Sequence, residues 1–294
     1  MKLAAITINS QHHIGVVQGE KAISLTVLKG NQIPSCLKAF IEKSEELLPL
    51  AEQLIGQGAN EDAVFPISDV KILPPIQAPE KIICVGLNYI DHCRETGMEP
   101  PASPVIFSKY ANAIVGHHDA VEIPTNSNEV DFEAELAVVI GKEAKRVTEE
   151  EAMDYVFGYT IMNDISARDL QFKDGQWSRG KTADTFAPTG PVIVTKDEAG
   201  NPHNLSISLE LNGEIMQDSN TSNLIFTIPQ IISFLSQSMT LRPGDLIATG
   251  TPPGVGMGRD PKVWLKDGDK MSITIENIGT LSNYVKGDIQ KEEG

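Results

Sequence analysis

Two glutamates two residues apart at the head of an apolar run, Glu133 and Glu135 in DFEAELAVVIG, constrain this chain more than any other feature. An apolar run closed by glycine reads as a strand, and side chains at i and i+2 of a strand point the same way. Glu133 and Glu135 then face together, while Phe132, Ala134 and Leu136 face the other side. A third carboxylate follows downstream, Asp164 in IMNDISARDLQ. Carboxylates about 5 Å apart repel by roughly 3 kcal/mol at an effective dielectric near 20, so a converging trio needs protons or a cation. An all-oxygen set without Cys or His favours Mg²⁺ or Mn²⁺ over zinc and leaves positions for water or substrate. The solvated face of a half-buried strand has the same spacing, and on spacing alone that plainer reading is the better one. The other motifs decide.

A length of 294 residues suffices for one large domain and a small one. With 40% hydrophobic and 22% charged residues, the composition is that of a soluble globular protein. No apolar run approaches the roughly 18 residues of a membrane helix. The opening MKLAAITINSQHH turns polar too soon for a signal peptide, so a cytoplasmic protein is expected. A net charge of −16 repels nucleic acid and anionic membranes, which excludes both as partners. It leaves room for a small anionic substrate, provided that local Lys or Arg and a bound metal reverse the field. Cys36, Cys84 and Cys93 form no CxxC pattern and read as reduced thiols.

Along the chain, strand-like pieces at 1–8, 14–18 and 22–25 precede a helical stretch from Ser35. In it Leu37, Phe40, Ile41, Leu47, Leu48, Ala51, Leu54 and Ile55 recur at roughly helical spacing. The segment ILPPIQAPEK, with Pro74, Pro75 and Pro79, reads as a stiff connector. The expected organisation is a small N-terminal α+β domain, 1–74, and a catalytic domain, 75–294. Beyond the connector the pattern is mostly strand, at 82–85, 135–140, 245–249 and 271–275. SISLELNGE alternates and carries an Asn212-Gly213 hairpin turn. Two helix starts stand out: Thr148 with Glu151 before Ala152 and Met153, and Thr227 with Pro229 leading through Ile232 and Leu235. A strand-rich α+β fold with short helices is the result.

Other polar groups are hard to explain by packing. In GLNYIDHCRETG, His92 and Glu95 share a face if the segment is helical. Glu95 would then orient one imidazole nitrogen while the other acts as a base. In WSRGKTADTFAPTGP, Lys181 could stabilise charge that develops during reaction. Thr249 and Thr251 lie in a Gly/Pro-rich turn after a strand, in IATGTPPGVG, where loops often present hydroxyls to a ligand. RETGMEPPASP has the composition of a loop hinged near His92 that closes over substrate.

Together, IICVGLNYIDHCRETG, DFEAELAVVIGK, FGYTIMNDISARDLQ, RGKTADTFAPTGP and LIATGTPPGVGMG resemble the fumarylacetoacetate hydrolase family, in the family's order. The closing GDKMSITIENIGTLSNYV is also similar, so the resemblance spans about residues 75–285. It implies a mixed β-sandwich roll that is usually a homodimer, with Glu133, Glu135 and Asp164 as ligands of Mg²⁺ or Mn²⁺. It further implies His92 and Glu95 as a catalytic pair on a short lid helix, with Lys181 as the active-site lysine. Lys109, Arg168, Gln171 and Thr251 match substrate-binding positions. Two departures stand out: His118, where a small residue is usual, and Thr182-Ala183 in place of Ser-Phe after the lysine.

The expected function is a metal-dependent enzyme acting on small 2-oxo dicarboxylic or diketo acids. C–C cleavage comes first, as oxaloacetate decarboxylation or acylpyruvate hydrolysis. Keto–enol tautomerisation of oxaloacetate and hydration of 2-oxo-enoates are alternatives at the same site. A non-catalytic scaffold that docks through its first 70 residues is the alternative from another class.

Overall fold

The computed structural model describes residues 1–34, 36–173 and 175–287. Ser35, where the first helical stretch was expected to begin, lies outside the described residues, as do residues 288–294 at the end of the second expected domain. Among the described residues the strands form a twelve-stranded sheet, a five-stranded sheet and a two-stranded ribbon. Most pairs are antiparallel, but Leu246–Ala248 runs parallel to Ile82–Gly86, Gly279–Lys286 to Ala120–Glu122, and Ala187–Thr195 to Ile114–Val115. The fold is therefore strand-rich α+β with mixed sheets, as expected.

Alternating burial shows how the smaller sheet is built. Ser206–Leu211, Lys270–Ile275 and Gly279–Lys286 each place every second residue inside, the pattern of a sheet with one wet face. Ala134–Ile140 and Val156–Asn163 are buried at every position, because the large sheet is covered on both sides here. Phe132, Ala134 and Leu136 are inaccessible, yet Glu133 and Glu135 are also only 5% and 2% exposed. The two carboxylates thus do not lie on a solvated face.

The N-terminal strands join the same large sheet. Lys2–Ile8 pairs with Ala187–Thr195 through Lys2–Val194 and Leu3–Ile193, and Lys71–Leu73 pairs with Lys2–Ile8 in turn. The apolar side chains of residues 1–74 and of the remainder belong to one continuous core. The helical stretch is two helices, Leu37–Glu42 and Ser44–Gly56, separated at Lys43, where φ is −116° and ψ 23°.

Three local signals act as read, or nearly so. Asn212 and Gly213 both have positive φ, 54° and 84°, as a type I′ turn requires, and they join Ser206–Leu211 to Glu214–Asn220. Thr227 and Gln230 form a reciprocal capping box at the start of Ile228–Ser238. Thr148 and Glu151 make the same reciprocal contacts, at 3.3 and 3.4 Å, but only a 3₁₀ turn, Ala152–Tyr155, follows. The strand Val156–Asn163 starts directly after it and leaves no chain for an α-helix.

Candidate active site

The carboxylate trio is assembled by one strand pair. In the register of Ala134–Ile140 against Val156–Asn163, Ala134 lies opposite Asn163 and Glu135 opposite Met162. Asp164 follows directly, and its N–H donates to the Glu133 carbonyl at 2.9 Å. The Asn163 amide oxygen accepts from the Glu133 N–H at 3.0 Å. Glu133, Glu135 and Asp164 each thereby bring a carboxylate oxygen within 4.8 Å of the other two.

Cations are distributed unevenly around this trio. The Lys181 ammonium donates to Glu133 Oε2 at 2.8 Å and to Asp164 Oδ2 at 2.9 Å. Arg168 donates to Glu133 Oε1 and, through Nε, to Asp131 Oδ2 at 2.9 Å. Burial pushes the Glu133 carboxyl up, but Arg168 and Lys181 outweigh it and hold the group well below the usual range. Among the described residues, Glu135 accepts the Gly250 N–H alone, at 2.8 Å. Burial first, then Asp164 and Glu133, push its carboxyl well above its ordinary value. Such a group binds a proton or a cation.

Lys109 explains a further property of the trio. Its ammonium lies 2.7 Å from Asp164 Oδ1, but its three protons go to the carbonyls of Ile165, Lys181 and Phe186. Asp164 Oδ1 is thus a buried oxygen that faces the Lys109 ammonium by charge at 2.7 Å but has no well-aligned hydrogen-bond partner. An all-oxygen trio with one buried oxygen lacking a hydrogen-bond partner and one upshifted carboxyl fits a hard divalent cation. The structure places Lys109, expected to bind substrate, behind the cleft lining. The residue is 2% exposed and does not line the cleft, because its protons are consumed by backbone carbonyls behind the carboxylates.

The cleft in front of the trio holds a cavity of about 40 Å³. His92 enters it from the helix Ile90–Thr96. His92 Nδ1 lies 3.2 Å from Glu95 Oε2, and Glu95 Oε1 accepts the Gly254 N–H at 2.8 Å. An ionised carboxylate only accepts, so with Glu95 ionised the proton of this contact sits on Nδ1. Glu95 thus joins the helix to the loop around Gly254. Gly97, at φ 66°, ends that helix in the left-handed conformation that glycine adopts without strain.

Gln171 and Thr251 line the cleft as donors. Gln171 Oε1 accepts from Arg168 at 3.0 Å, so its NH₂ is not used in that contact. Gly180 brings Lys181 near, since a Cβ there would meet the Ala167 carbonyl at 2.5 Å and block the approach of Ser178–Lys181 to Arg168–Gln171. Thr249, by contrast, donates its hydroxyl to the Leu136 carbonyl at 2.8 Å and is structural. An apolar wall faces the polar groups. Phe107 lies 4.8 Å from the Lys181 ammonium, and Trp177 packs edge-on against Phe107 at 5.5 Å.

Of the ten candidate residues, Lys109, Asp164 and Glu95 lie behind the lining and the other seven face the cleft. Two residues were missed. Asp131 is fully buried and accepts from Arg168 and from the N–H groups of Gly256 and Met257, at 2.6 and 3.1 Å. The continued two-residue period Asp131, Glu133, Glu135 was its signal. Gln217 had none, because only a distant hairpin brings it to the site.

These features define a buried, all-carboxylate cluster that could hold a metal ion, with a histidine on a short helix and polar side chains lining the same cleft. The fumarylacetoacetate (FAA) hydrolase C-terminal profile matches residues 81–286, and the chain belongs to that family. It is 47% identical over 254 residues to the mitochondrial oxaloacetate tautomerase Fahd2a of Rattus norvegicus, covering 86% of this chain and 80% of the relative. To the Bos taurus mitochondrial oxaloacetate tautomerase FAHD2A it is 46% identical over 277 residues, covering 93% and 87%. The fumarylacetoacetate hydrolase of psychrophilic Exiguobacterium antarcticum superposes with TM-score 0.85 at 36% identity, over 98% of this chain and 100% of that one. The maleylpyruvate hydrolase of Sphingobium sp. SYK-6, solved with manganese(II) and pyruvate, superposes at 0.81 with 33% identity, over 98% and 99%. No helix among the described residues is long and apolar enough to cross a membrane.

Proposed function

We propose that this protein is a divalent-cation-dependent enzyme that interconverts the keto and enol forms of a small 2-oxo dicarboxylic acid of the oxaloacetate type. The observation that carries the reading is the pairing of His92 with Glu95 at 3.2 Å in the cleft that the carboxylates line. Sequence reading alone puts C–C cleavage first, and the tautomerases among the relatives move proton transfer ahead of it.

Glu133, Glu135 and Asp164 would hold Mg²⁺ or Mn²⁺, which supplies a Lewis acid for the 2-oxo group and for the negative charge of the enolate. His92 Nε2 takes the proton from C3 of the substrate and returns it, while Glu95 fixes the ring through Nδ1. Lys181 offers its ammonium to the oxygen on which charge develops. Thr251, Gln171 and Arg168 bind and orient carboxylate oxygens, and Phe107 and Trp177 give the cleft an apolar wall.

Pyruvate bound with manganese in the maleylpyruvate hydrolase supports a second reading, C–C cleavage at the same groups with His92 activating a water. The test follows oxaloacetate by ultraviolet absorbance and by pyruvate release, in EDTA and after Mg²⁺ or Mn²⁺ is restored, with Glu135→Ala as the control for free metal. Cation-dependent ketonisation that outruns pyruvate release is expected. Pyruvate release at the same rate would favour cleavage, and neither activity would overturn the enzyme reading. We also propose a homodimer, as Tyr110, Ile215 and Tyr284 remain 58%, 58% and 46% exposed. A mass of 31.9 kDa by light scattering would exclude it.

A further inference from the structure

We infer that Gln217 is a positioning residue that turns the hydroxyl of Thr251 into a donor toward an anionic ligand and ties that donor to the strand of the carboxylates. The inference rests on the reading of Thr251 as a substrate contact. Gln217 lies on Glu214–Asn220, the second strand of the Asn212-Gly213 hairpin, far from the site in sequence.

A β-bulge aims it. Leu209 pairs with Gln217 and Glu210 with Ile215, so Met216 is the extra residue. Residues opposite one another in an antiparallel pair share a face, and Leu209 is fully buried. Gln217 is therefore turned inward and is inaccessible. Without the bulge it would share the face of Ile215, which is 58% exposed.

Its amide is then fully committed. Gln217 Oε1 accepts the Ala134 N–H at 2.9 Å, and Nε2 donates to Thr251 Oγ1 at 2.9 Å and to the Pro252 carbonyl at 2.8 Å. An N–H can only donate and a carbonyl can only accept, so the orientation of the amide has one solution. Thr251 Oγ1 accepts from Gln217, and no protein group among the described residues accepts the proton of its hydroxyl. Thr251 lines the cleft, and its O–H donates into it. A carboxylate oxygen suits that donor, whereas an ammonium or an amide N–H does not. Ala134 stands between Glu133 and Glu135, so one amide holds both the anion donor and the backbone of two carboxylates.

Oxalate is the probe, a dianion that only accepts, titrated calorimetrically into the Mn²⁺-loaded protein. Thr251→Val and Gln217→Met are each expected to weaken oxalate about tenfold, and the double variant no more than either alone. Should Gln217→Met fail to fold, Gln217→Glu keeps the acceptor for Ala134 but, when ionised, can only take the proton of Thr251. In that background Thr251→Val is expected to change oxalate affinity less than twofold. Additive losses in the first cycle, or a full tenfold effect of Thr251→Val in the Gln217→Glu background, would overturn the inference while wild-type binding leaves the proposed function standing. Failure of the wild type to bind oxalate with Mn²⁺ would remove both.

Discussion

Gly258→Ala perturbs the catalytic pair without deleting any of its groups. Gly258 is exposed, and its φ is not in the left-handed region, so alanine fits the backbone. The added Cβ would lie 2.6 Å from Glu95 Cδ, 2.8 Å from Oε1 and 3.0 Å from Cγ, and these are its three nearest contacts. Glu95 must swing away and gives up the Gly254 N–H at 2.8 Å and His92 Nδ1 at 3.2 Å. Hydrogen bonds to charged groups contribute about 1.5–3 kcal/mol each, but the released carboxylate regains water, so a stability loss of about 1–2 kcal/mol is expected. A positioned general base contributes 10²–10⁴-fold, and loss of its orientation should lower kcat about 100-fold. Mn²⁺ affinity should not change, since Glu95 is not one of the trio. Stopped-flow ketonisation of oxaloacetate and Mn²⁺ calorimetry provide the two readouts. A folded Gly258→Ala protein with the wild-type kcat would falsify the role of Glu95 and, with it, the oriented-base mechanism.

Glu135→Ala should weaken divalent-cation binding at least 100-fold in calorimetry and abolish turnover. In EDTA the same variant should melt no lower than the wild type, because it removes a buried carboxyl that Asp164 and Glu133 oppose. His118 sits at φ 65°, in the left-handed region, where the family resemblance led us to expect a small residue. His118→Gly should raise stability by about 0.5–1 kcal/mol in urea titration. His117 is held at about 4 by burial, with His118 adding to the effect, and its Nδ1 accepts the Ser282 N–H at 3.1 Å. The unfolded chain, near 6.5, takes up that proton first, so this contribution is present above about pH 6.5 and is lost as pH falls toward 4. His117→Gln should therefore make melting temperature less steep against pH in that window, and an unchanged slope would rule the contribution out.

Much of the site was legible because its signals are local or periodic. The two-residue period placed Glu133 and Glu135 together, and a three-residue helical spacing placed Glu95 beside His92. The same logic could have reached Asp131, one period upstream. The surroundings of Lys109 were not legible, since its residue type says only that it is cationic. Whether its protons meet a ligand or three carbonyls depends on the segments around Ile165, Lys181 and Phe186, which packing brings to it. The Thr148 box formed as read but could not start a helix, because its continuation was taken by a strand of the large sheet.

What the sequence by itself determined is therefore what backbone geometry decides within a few residues: the Asn212-Gly213 turn, the Thr227 cap and the shared face of two glutamates. Only the tertiary structure decided that the first strand would extend the large sheet beside Ala187–Thr195 and that a bulge at Met216 would carry Gln217 to Thr251. Turns and caps depend on φ/ψ preferences of adjacent residues, whereas the direction of a hydrogen bond between residues 34 apart depends on strand register, which the whole core sets.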